Sequence, residues 1–437
     1  MLLRLTDGTT TITLTSTPWL GATYFPAPVA GAQTVMETAV CTIEGTEAAI
    51  RSAVQGVEWM LWRAKKRKEM LGPRVFVEWR PGSSGDIYRS EVYGGQVTWS
   101  ADPARRRMES TTNTGEIAIT WTRNYCFEDT TLRELEISAS NQSAAISGRT
   151  IYNHWDGDTG HGFWFTIAGA QVSGSEPAPL RLELTNNVGA ARAYAQLHIA
   201  NNTRNDPANF VTRIEGESAS SGGSNASDAT CSNGSKRNLT VNTTTTVTWA
   251  LNDAFVADTK GARFWLLARV LSLTGAVVVR PELRTSAGDL VWSTKEPVRW
   301  ITSTPHLAVV CTMPIPPGGW DAPWDDLVLH LVFNSTTSVT LSIDYLAFFP
   351  ADNYRFVPTM GGSVANNETI ILDDIEGWAG VANGGLVRPI ISPRNKPLLI
   401  YPGVTQRLYV LQHLLNNCNI ADTFSVRAFY RPRRLTL

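Results

Sequence analysis

Paired cysteines are missing from this chain. Cys41, Cys126, Cys231, Cys311 and Cys418 are odd in number, lie far apart and form no Cys-x-x-Cys motif. Such thiols read as mostly reduced core residues of a protein made in a cytoplasm. A surplus of either charge is missing too: 38 Lys and Arg against 39 Asp and Glu leave a formal net charge of −1. That balance excludes global steering toward nucleic acid or an anionic membrane. No stretch is long and apolar enough to span a bilayer, and "MLLRLTDGTTTITL" has no apolar core of signal-peptide length. The expectation is no nucleic-acid partner, no membrane insertion and no secretion signal. Sequons at Asn225, Asn238, Asn242 and Asn334 arise by chance in a chain rich in Asn, Ser and Thr, and glycosylation is not expected. Catalytic signatures are also lacking. There is no P-loop, no GxGxxG after a strand, no HExxH and no Gly-x-Ser-x-Gly elbow. The six histidines are dispersed. His198 and His330 fall inside strand-like runs, where a packed histidine is expected.

Turn-forming residues are plentiful, and Trp is common at 15. That mixture suits many short strands joined by turns. The predicted fold class is mainly β, and 437 residues allow about three domains of roughly 150 residues each. We expect an N-terminal β-barrel-like domain with one long helix over residues 1–130. A polar linker follows over 131–160, then a jelly-roll β-sandwich over 161–350 and a β-rich domain over 351–437.

The helix is the clearest local signal. In "GTEAAIRSAVQGVEWMLWRAKKRKEMLGP", Thr46 is a suitable N-cap. Ile50, Val54, Val57, Leu61 and Ala64 recur at helical spacing, so one face is buried. Arg63, Lys65, Lys66, Arg67 and Lys68 suit the negative end of the dipole, and Gly72-Pro73 stops the helix. About 26 residues give a length close to 40 Å. Strands surround it: "RVFVEWRP", "GEIAITWTRNY", and "DIYRSEVYGGQVTWSAD" read as two strands about Gly94-Gly95. Arg105-Arg106-Arg107 reads as a loop, solvated or touching a neighbouring subunit. Ten strand-like runs follow between 161 and 350, interrupted by a Ser/Gly/Asn-rich surface loop over 217–236.

Four clusters could carry chemistry. "NHWDGDTGHGFWF" holds His154, Asp156, Asp158 and His161, which could ligate calcium or a transition metal, or simply form a turn. "IEGES" places Glu215 and Glu217 two apart, so both could point to one site from a strand, or simply lie on a solvated β-edge. Asp344 lies in "SIDYLAFFP". In "PPGGWDAPWDD", Trp320 and Trp324 could stack on sugar rings while Asp325 orients hydroxyls. Tryptophans capping a barrel end are the alternative.

Two resemblances follow. The first 130 residues resemble the N-terminal domain of siphophage distal tail and minor tail proteins. The matching features are "LTDGTTTITL", the strand-helix-strand run from Glu44 through "GPRVFVEWRP", "YRSEVYGGQVTW" and "IAITWTRNYCFE". The C-terminal "LLIYPGVTQRLYVL…FSVRAFYRPRRLTL" is similar to the ends of such proteins. The middle region resembles jelly-roll carbohydrate-binding modules of families 6 and 35 through "IEGES", the Arg of "FWLLARV" and "SIDYLAFFP". Gly216 departs from the usual Ala, and about 50 residues of strand precede the motif.

The first resemblance implies a tail-tip structural protein, without catalysis, assembled as a homo-oligomeric ring. The expected stoichiometry is a hexamer or trimer, in contact with the tail tube and tail-tip hub of the virion tail. The second implies a structural Ca2+ held by Glu215, Glu217 and Asp344, and binding of a host cell-surface glycan. The "NHWDGDTGHGFWF" stretch then becomes the opening turn of the middle domain, its polar residues shaping the seam with the ring domain. A free carbohydrate-binding or adhesion protein and a glycan-cleaving enzyme are the rivals. Asp325 and Asp326 are adjacent, unlike the separated carboxylates of such an enzyme.

Overall fold

The computed structural model describes residues 1–26, 33–70, 72–99, 106–108, 113–139, 149–152, 162–192, 194–203, 213–301, 306–317, 326–357, 363–383, 386–389, 397–414 and 423–435. The fold is mainly β. The chain divides into two compact units, one of 1–133, 173–178 and 431–437, the other of 134–172 and 179–430.

The first unit contains β1 (Leu2–Thr6), β2 (Thr11–Thr13), β3 (Trp19–Thr23), β4 (Thr34–Gly45), α1 (Glu47–Met70), β5 (Val75–Arg80), β6 (Tyr88–Trp99), β7 (Arg106–Met108), β8 (Asn113–Asn124) and β9 (Phe127–Asp129). One sheet runs β2-β1-β5-β6-β8-β4-β3. β7 pairs with β8, and β9 pairs with β6 and with Arg433–Arg434. Alternation in β4 buries Val35, Ala39, Cys41 and Ile43 and exposes Met36, Thr38 and Val40. The helix closes the inner face, packing Ile50, Val54, Val57, Met60, Leu61 and Ala64 against β1, β4, β5, β6 and β8. Its first turn is capped as expected, with the Ala49 N–H donating to Thr46 Oγ1 at 3.3 Å.

Two expectations are corrected in this unit. β6 is a single strand through Gly94-Gly95, with only a register shift between Val92 and Gly94. The glycines are needed for proximity. Gly94 has φ +147°, and a Cβ there would meet Lys65 Cβ at 3.2 Å, while one on Gly95 would meet Thr120 O at 2.2 Å and Leu61 Cδ2 at 3.1 Å. Arg106–Met108 is a strand on β8 rather than loop. Arg105 lies outside the described residues.

The second unit begins with β10 (Arg133–Leu135), β11 (Ser138–Ala139), β12 (Arg149–Tyr152), β13 (Trp164–Ile167), β14 (Ala178–Asn186) and β15 (Tyr194–Asn202). Next come β16 (Arg213–Glu215), β17 (Ser224–Ser227), β18 (Ser235–Val241), β19 (Thr244–Ala250), α2 (Asp253–Thr259), β20 (Arg263–Leu273), β21 (Val277–Thr285), β22 (Leu290–Ser293), β23 (Val298–Trp300), β24 (His306–Pro314), β25 (Leu327–Asn334) and β26 (Val339–Pro350). The chain continues through β27 (Tyr354–Val357), β28 (Thr369–Asp373), β29 (Trp378–Asn383), β30 (Leu386–Pro389), β31 (Leu399–Ile400), β32 (Gln406–Leu414), β33 (Thr423–Tyr430) and β34 (Arg433–Arg434), the last belonging to the first unit.

Strands β16 to β26 form the jelly-roll sandwich. One sheet runs β17-β18-β26-β20-β24 with β16 on β26, and the other β19-β25-β21-β22 with β23 on β21. The strands expected to open this domain at 161 do not pair with it. β13 and β15 join β32 and β27 in the sheet β11-β13-β32-β15-β27, and β14 joins β33 and β28 in β10-β33-β14-β28-β29-β30. Strands from both sides of the expected boundary at 350 therefore share sheets. The jelly roll is inserted between β15 and β27, whose Ala200 and Tyr354 are paired neighbours. The expected linker over 131–160 contributes β10 and β12 to β33 and β11 to β13. Nonlocal pairing of this kind leaves no trace in local composition.

Candidate functional site

Asp344 sits fully buried in β26. Its Oδ1 accepts the Ser232 N–H at 2.9 Å, and its Oδ2 pairs with Arg269 Nη1 from the neighbouring β20. Glu215 ends β16, where Arg213, two residues earlier on the same strand face, forms its ion pair. Ser232 links the two acids: its hydroxyl donates to Glu215 Oε1 at 3.2 Å and accepts from Arg213 Nη1 at 2.5 Å. Glu217 does not reach the site by strand alternation, since Gly216–Ser218 is a 3-10 turn. The turn still aims it inward, and its Oε1 accepts from Asn233 Nδ2 at 3.1 Å.

Gly216 explains the departure from Ala. A Cβ there would meet Ile343 O at 2.3 Å and Asp344 O at 2.7 Å, so the backbone lies flat against β26. The stretch 217–236 is corrected likewise. It contains β17 and a turn at Ser232–Gly234 in which Asn233 takes φ 54°, and Cys231 and Ser232 are buried.

Electrostatics strain the cluster. Burial pushes the Glu215 carboxyl up to about 8, against the pull of Arg213 and with added repulsion from Glu217 and Asp344. Burial likewise raises Asp344 to about 6, opposed by Arg269. Three carboxylates face two guanidiniums here, so full ionisation leaves one negative charge over. Glu215 Oε2 and Glu217 Oε2 are buried with no hydrogen-bond donor in reach among the described residues. These orphaned oxygens and the surplus charge fit a hard, oxygen-seeking cation at the Glu215–Glu217 edge. Asp344 fits less well, because Arg269 and Ser232 already occupy both its oxygens. Among the described residues no group of three His, Cys, Asp or Glu side chains stands ready as a metal shell.

Sequence reading found the three acids and the arginine of "FWLLARV". It missed Arg213, whose signal is the i, i+2 spacing to Glu215, and Ser232, which has none. It also missed a polar row on the other sheet. Glu282 is buried between Arg280 and Arg284, at 2.9 and 2.7 Å, with His330 paired opposite on β25. Burial first, and Arg284 second, lower the His330 pKa. His198 is packed as expected, fully buried with Nδ1 at 2.6 Å from Tyr354 OH. Cys41, Cys126 and Cys231 are buried free thiols, and Cys311 is partly buried. His154, Asp156, Asp158, His161, Trp320, Trp324, Asp325 and Cys418 lie outside the described residues.

No family profile matches the sequence, and no curated protein does. Among solved structures the chain is similar to the Dit protein (gp 19.1) of SPP1, described as a paradigm of the hub adsorption apparatus in phages infecting Gram-positive bacteria. Identity is 7%, the likeness covers 99% of each chain, and the TM-score is 0.31. It is also similar to an exo-β-1,3-galactanase from Phanerochaete chrysosporium, at 10% identity over 74% of this chain and 84% of that one, with a TM-score of 0.22. A third likeness, to infectious bursal disease virus of the Gx strain, has 8% identity over 69% and 80% and a TM-score of 0.15. Likenesses at this level leave the family open.

Proposed function

We propose that this chain is a non-catalytic structural component of a phage tail tip, acting by assembly. The observation that carries the reading lies in the first unit. The segments that resemble distal tail proteins, together with Arg433–Arg434 near the other end of the sequence, fold into one sheet closed by α1. In this reading the unit assembles as a closed homo-oligomeric ring, a hexamer or trimer, contacting the tail tube and the tail-tip hub in the virion tail. Head-to-tail interfaces close into such rings. Electron microscopy of the purified protein is expected to show rings. Single particles alone, with none formed on adding tube and hub proteins, would overturn the reading.

The jelly roll supports a second, display role within the same particle. Trp320, Trp324 and Asp325 would contact a host cell-surface glycan weakly, and Trp320→Ala is expected to abolish cell-wall binding without loss of fold. Retention of no glycan by the wild-type chain on an array would sink that role. Glu215 and Glu217, with Asp344 once Arg269 yields, would hold a structural Ca2+. Binding only the native state raises its melting temperature with calcium concentration. An unchanged melting curve between chelator and millimolar calcium would exclude the ion.

A further inference from the structure

The sheet of the first unit carries a row of alternating charge. In β5, Val75, Val77 and Trp79 belong to the core, so alternation turns Phe76 and Glu78 to the other face. Arg4 of β1, Glu78 of β5, Arg89 of β6, Glu128 of β9 and Arg433 of β34 each stand directly opposite the next. The row begins and ends on a cation. Its far end is the looser one. Arg4 Nε pairs closely with Glu78 Oε2, and Arg89 lies 3.0 Å from Glu128, but Arg433 Nη2 stops 3.6 Å from Glu128, beyond hydrogen-bond length. Beside the row, Glu91 lies opposite Phe76 and has Arg67 at 2.7 Å and Arg74 at 3.8 Å.

A cavity of about 20 Å³ lies at this far end, walled by Arg74, Phe76, Arg89, Glu91, Glu128 and Arg433. Four guanidiniums, of Arg67, Arg74, Arg89 and Arg433, share the carboxylates of Glu91 and Glu128. Glu176, bridged to Arg433 along the backbone and accepting the Tyr125 hydroxyl at 3.1 Å, brings a third acid. Four cations against three anions leave one positive charge over. Asp129 does not cancel it, because Arg133 and Arg434 both lie on that carboxylate. The neutral groups of the cavity use their donors locally. Ser90 Oγ donates to the Asn124 and Cys126 carbonyls, each at 2.9 Å, and Cys126 Sγ donates to Asn124 Oδ1 at 3.2 Å. Burial pushes the Cys126 thiol up to about 11, so it adds no charge. Arg433 Nε is buried with no hydrogen-bond acceptor among the described residues.

We propose that this cavity binds one monatomic anion, a chloride ion, between Arg433 and the guanidiniums of Arg74 and Arg89. Three features select the ligand. The space takes a single water-sized group, which admits a halide and excludes sulfate, phosphate or a carboxylate carried on a chain. The groups with donors to give are guanidiniums, which offer N–H groups and no acceptor. A water molecule would meet a donor but leave the extra charge uncompensated in a largely buried place, where an unpaired ion is costly. One chloride meets the donor and cancels the charge. Bound there it links β34 to β6 across β9, and so helps to fasten the end of the chain.

Urea midpoints of the full chain test this at a constant total salt of about 0.15 M, with sodium gluconate replaced stepwise by sodium chloride. The wild-type midpoint should rise with chloride and then level off, as binding to the native state alone requires, and bromide should act as chloride does. Arg433→Met keeps the backbone pairing with β9 and removes the guanidinium. Its midpoint reports any general effect of exchanging the salts and should lack the chloride-specific rise. Crystals of the wild-type chain grown in bromide should show an anomalous peak in the cavity. A flat wild-type response overturns the proposal and leaves the cavity to water. An equal rise in wild type and variant overturns the site, since the anion then binds without Arg433. If Arg433→Met does not fold, the crystals decide alone, and bromide missing from the cavity overturns the proposal.

Discussion

Gly216 has no side chain because β26 leaves no room for one. Replacing it with Ala must push β16 off Ile343 O and Asp344 O. Gly216→Ala is therefore expected to cost about 1–3 kcal/mol, read as a shift in the urea midpoint; an unchanged midpoint would contradict the packing. The neighbouring acids predict a pH dependence. Glu215 is raised from 4.5 to about 8 and Asp344 from 3.8 to about 6, each by burial first. A raised carboxyl binds more protons folded than unfolded between its two values. Stability in chelator should thus fall as pH rises from about 4.5 to 8, by at most about 1.4 kcal/mol per pH unit for each proton. Glu215→Gln removes the Glu215 part of that slope. Urea midpoints from pH 5 to 8 with equal slopes in wild type and variant would refute the assignment.

At the scale of elements, α1 and β6 meet through glycine. A Cβ on Gly95 would run into Thr120 O of β8 and Leu61 of α1, so Gly95→Ala should cost about 1–3 kcal/mol. Amide exchange should speed up in β6, β8 and the Leu61 turn together. Acceleration confined to β6 would show that the helix does not depend on this approach. The helix was legible beforehand, because its apolar period and Thr46 cap are local signals. The strand was not, because Gly-Gly is also a turn signal and only the packed helix distinguishes the two uses. The long strands of the jelly roll were legible as runs, but β17 lay in the expected surface loop, β18 and β19 read as one run, β22 and β23 gave none, and its insertion was not legible. Leu182 pairs with Leu372 and Ala428, and no local pattern marks such partners. The acid site divides the same way. Glu215, Glu217 and Asp344 were reachable by resemblance, and Arg213 by strand spacing. Ser232 was hidden in a stretch whose Ser, Gly and Asn content reads as solvated loop.

At the scale of the whole molecule, the chain returns at its end to the unit where it began. Pro432 O accepts the Asp129 N–H at 3.0 Å, and Arg433 O accepts from Ser175 at 2.8 Å and Glu176 at 3.2 Å. Arg433 and Arg434 also approach Glu128 and Asp129 at 3.6 and 3.7 Å. Those acids have nearer partners in Arg89 at 3.0 Å and Arg133 at 2.5 Å, so the late arginines are second cations on acids already paired. The backbone ladder should therefore outweigh the side chains. Deleting 431–437 removes these three backbone hydrogen bonds together with the β34–β9 pairing and the Leu435 N–H bond to Ser175 Oγ, and is expected to cost at least about 3 kcal/mol, at roughly 1 kcal/mol per bond. The double change R433A/R434A keeps the ladder and loses two partly exposed ion pairs and the Arg434 contact over the Tyr88 ring, so it should cost about 1–2 kcal/mol, less than the deletion. Chemical denaturation of the two variants separates the contributions, with amide exchange at 127–129 and 175–176 reporting the site. Equal destabilisation by both would mean that the arginines, not the ladder, fasten the end of the chain to β9.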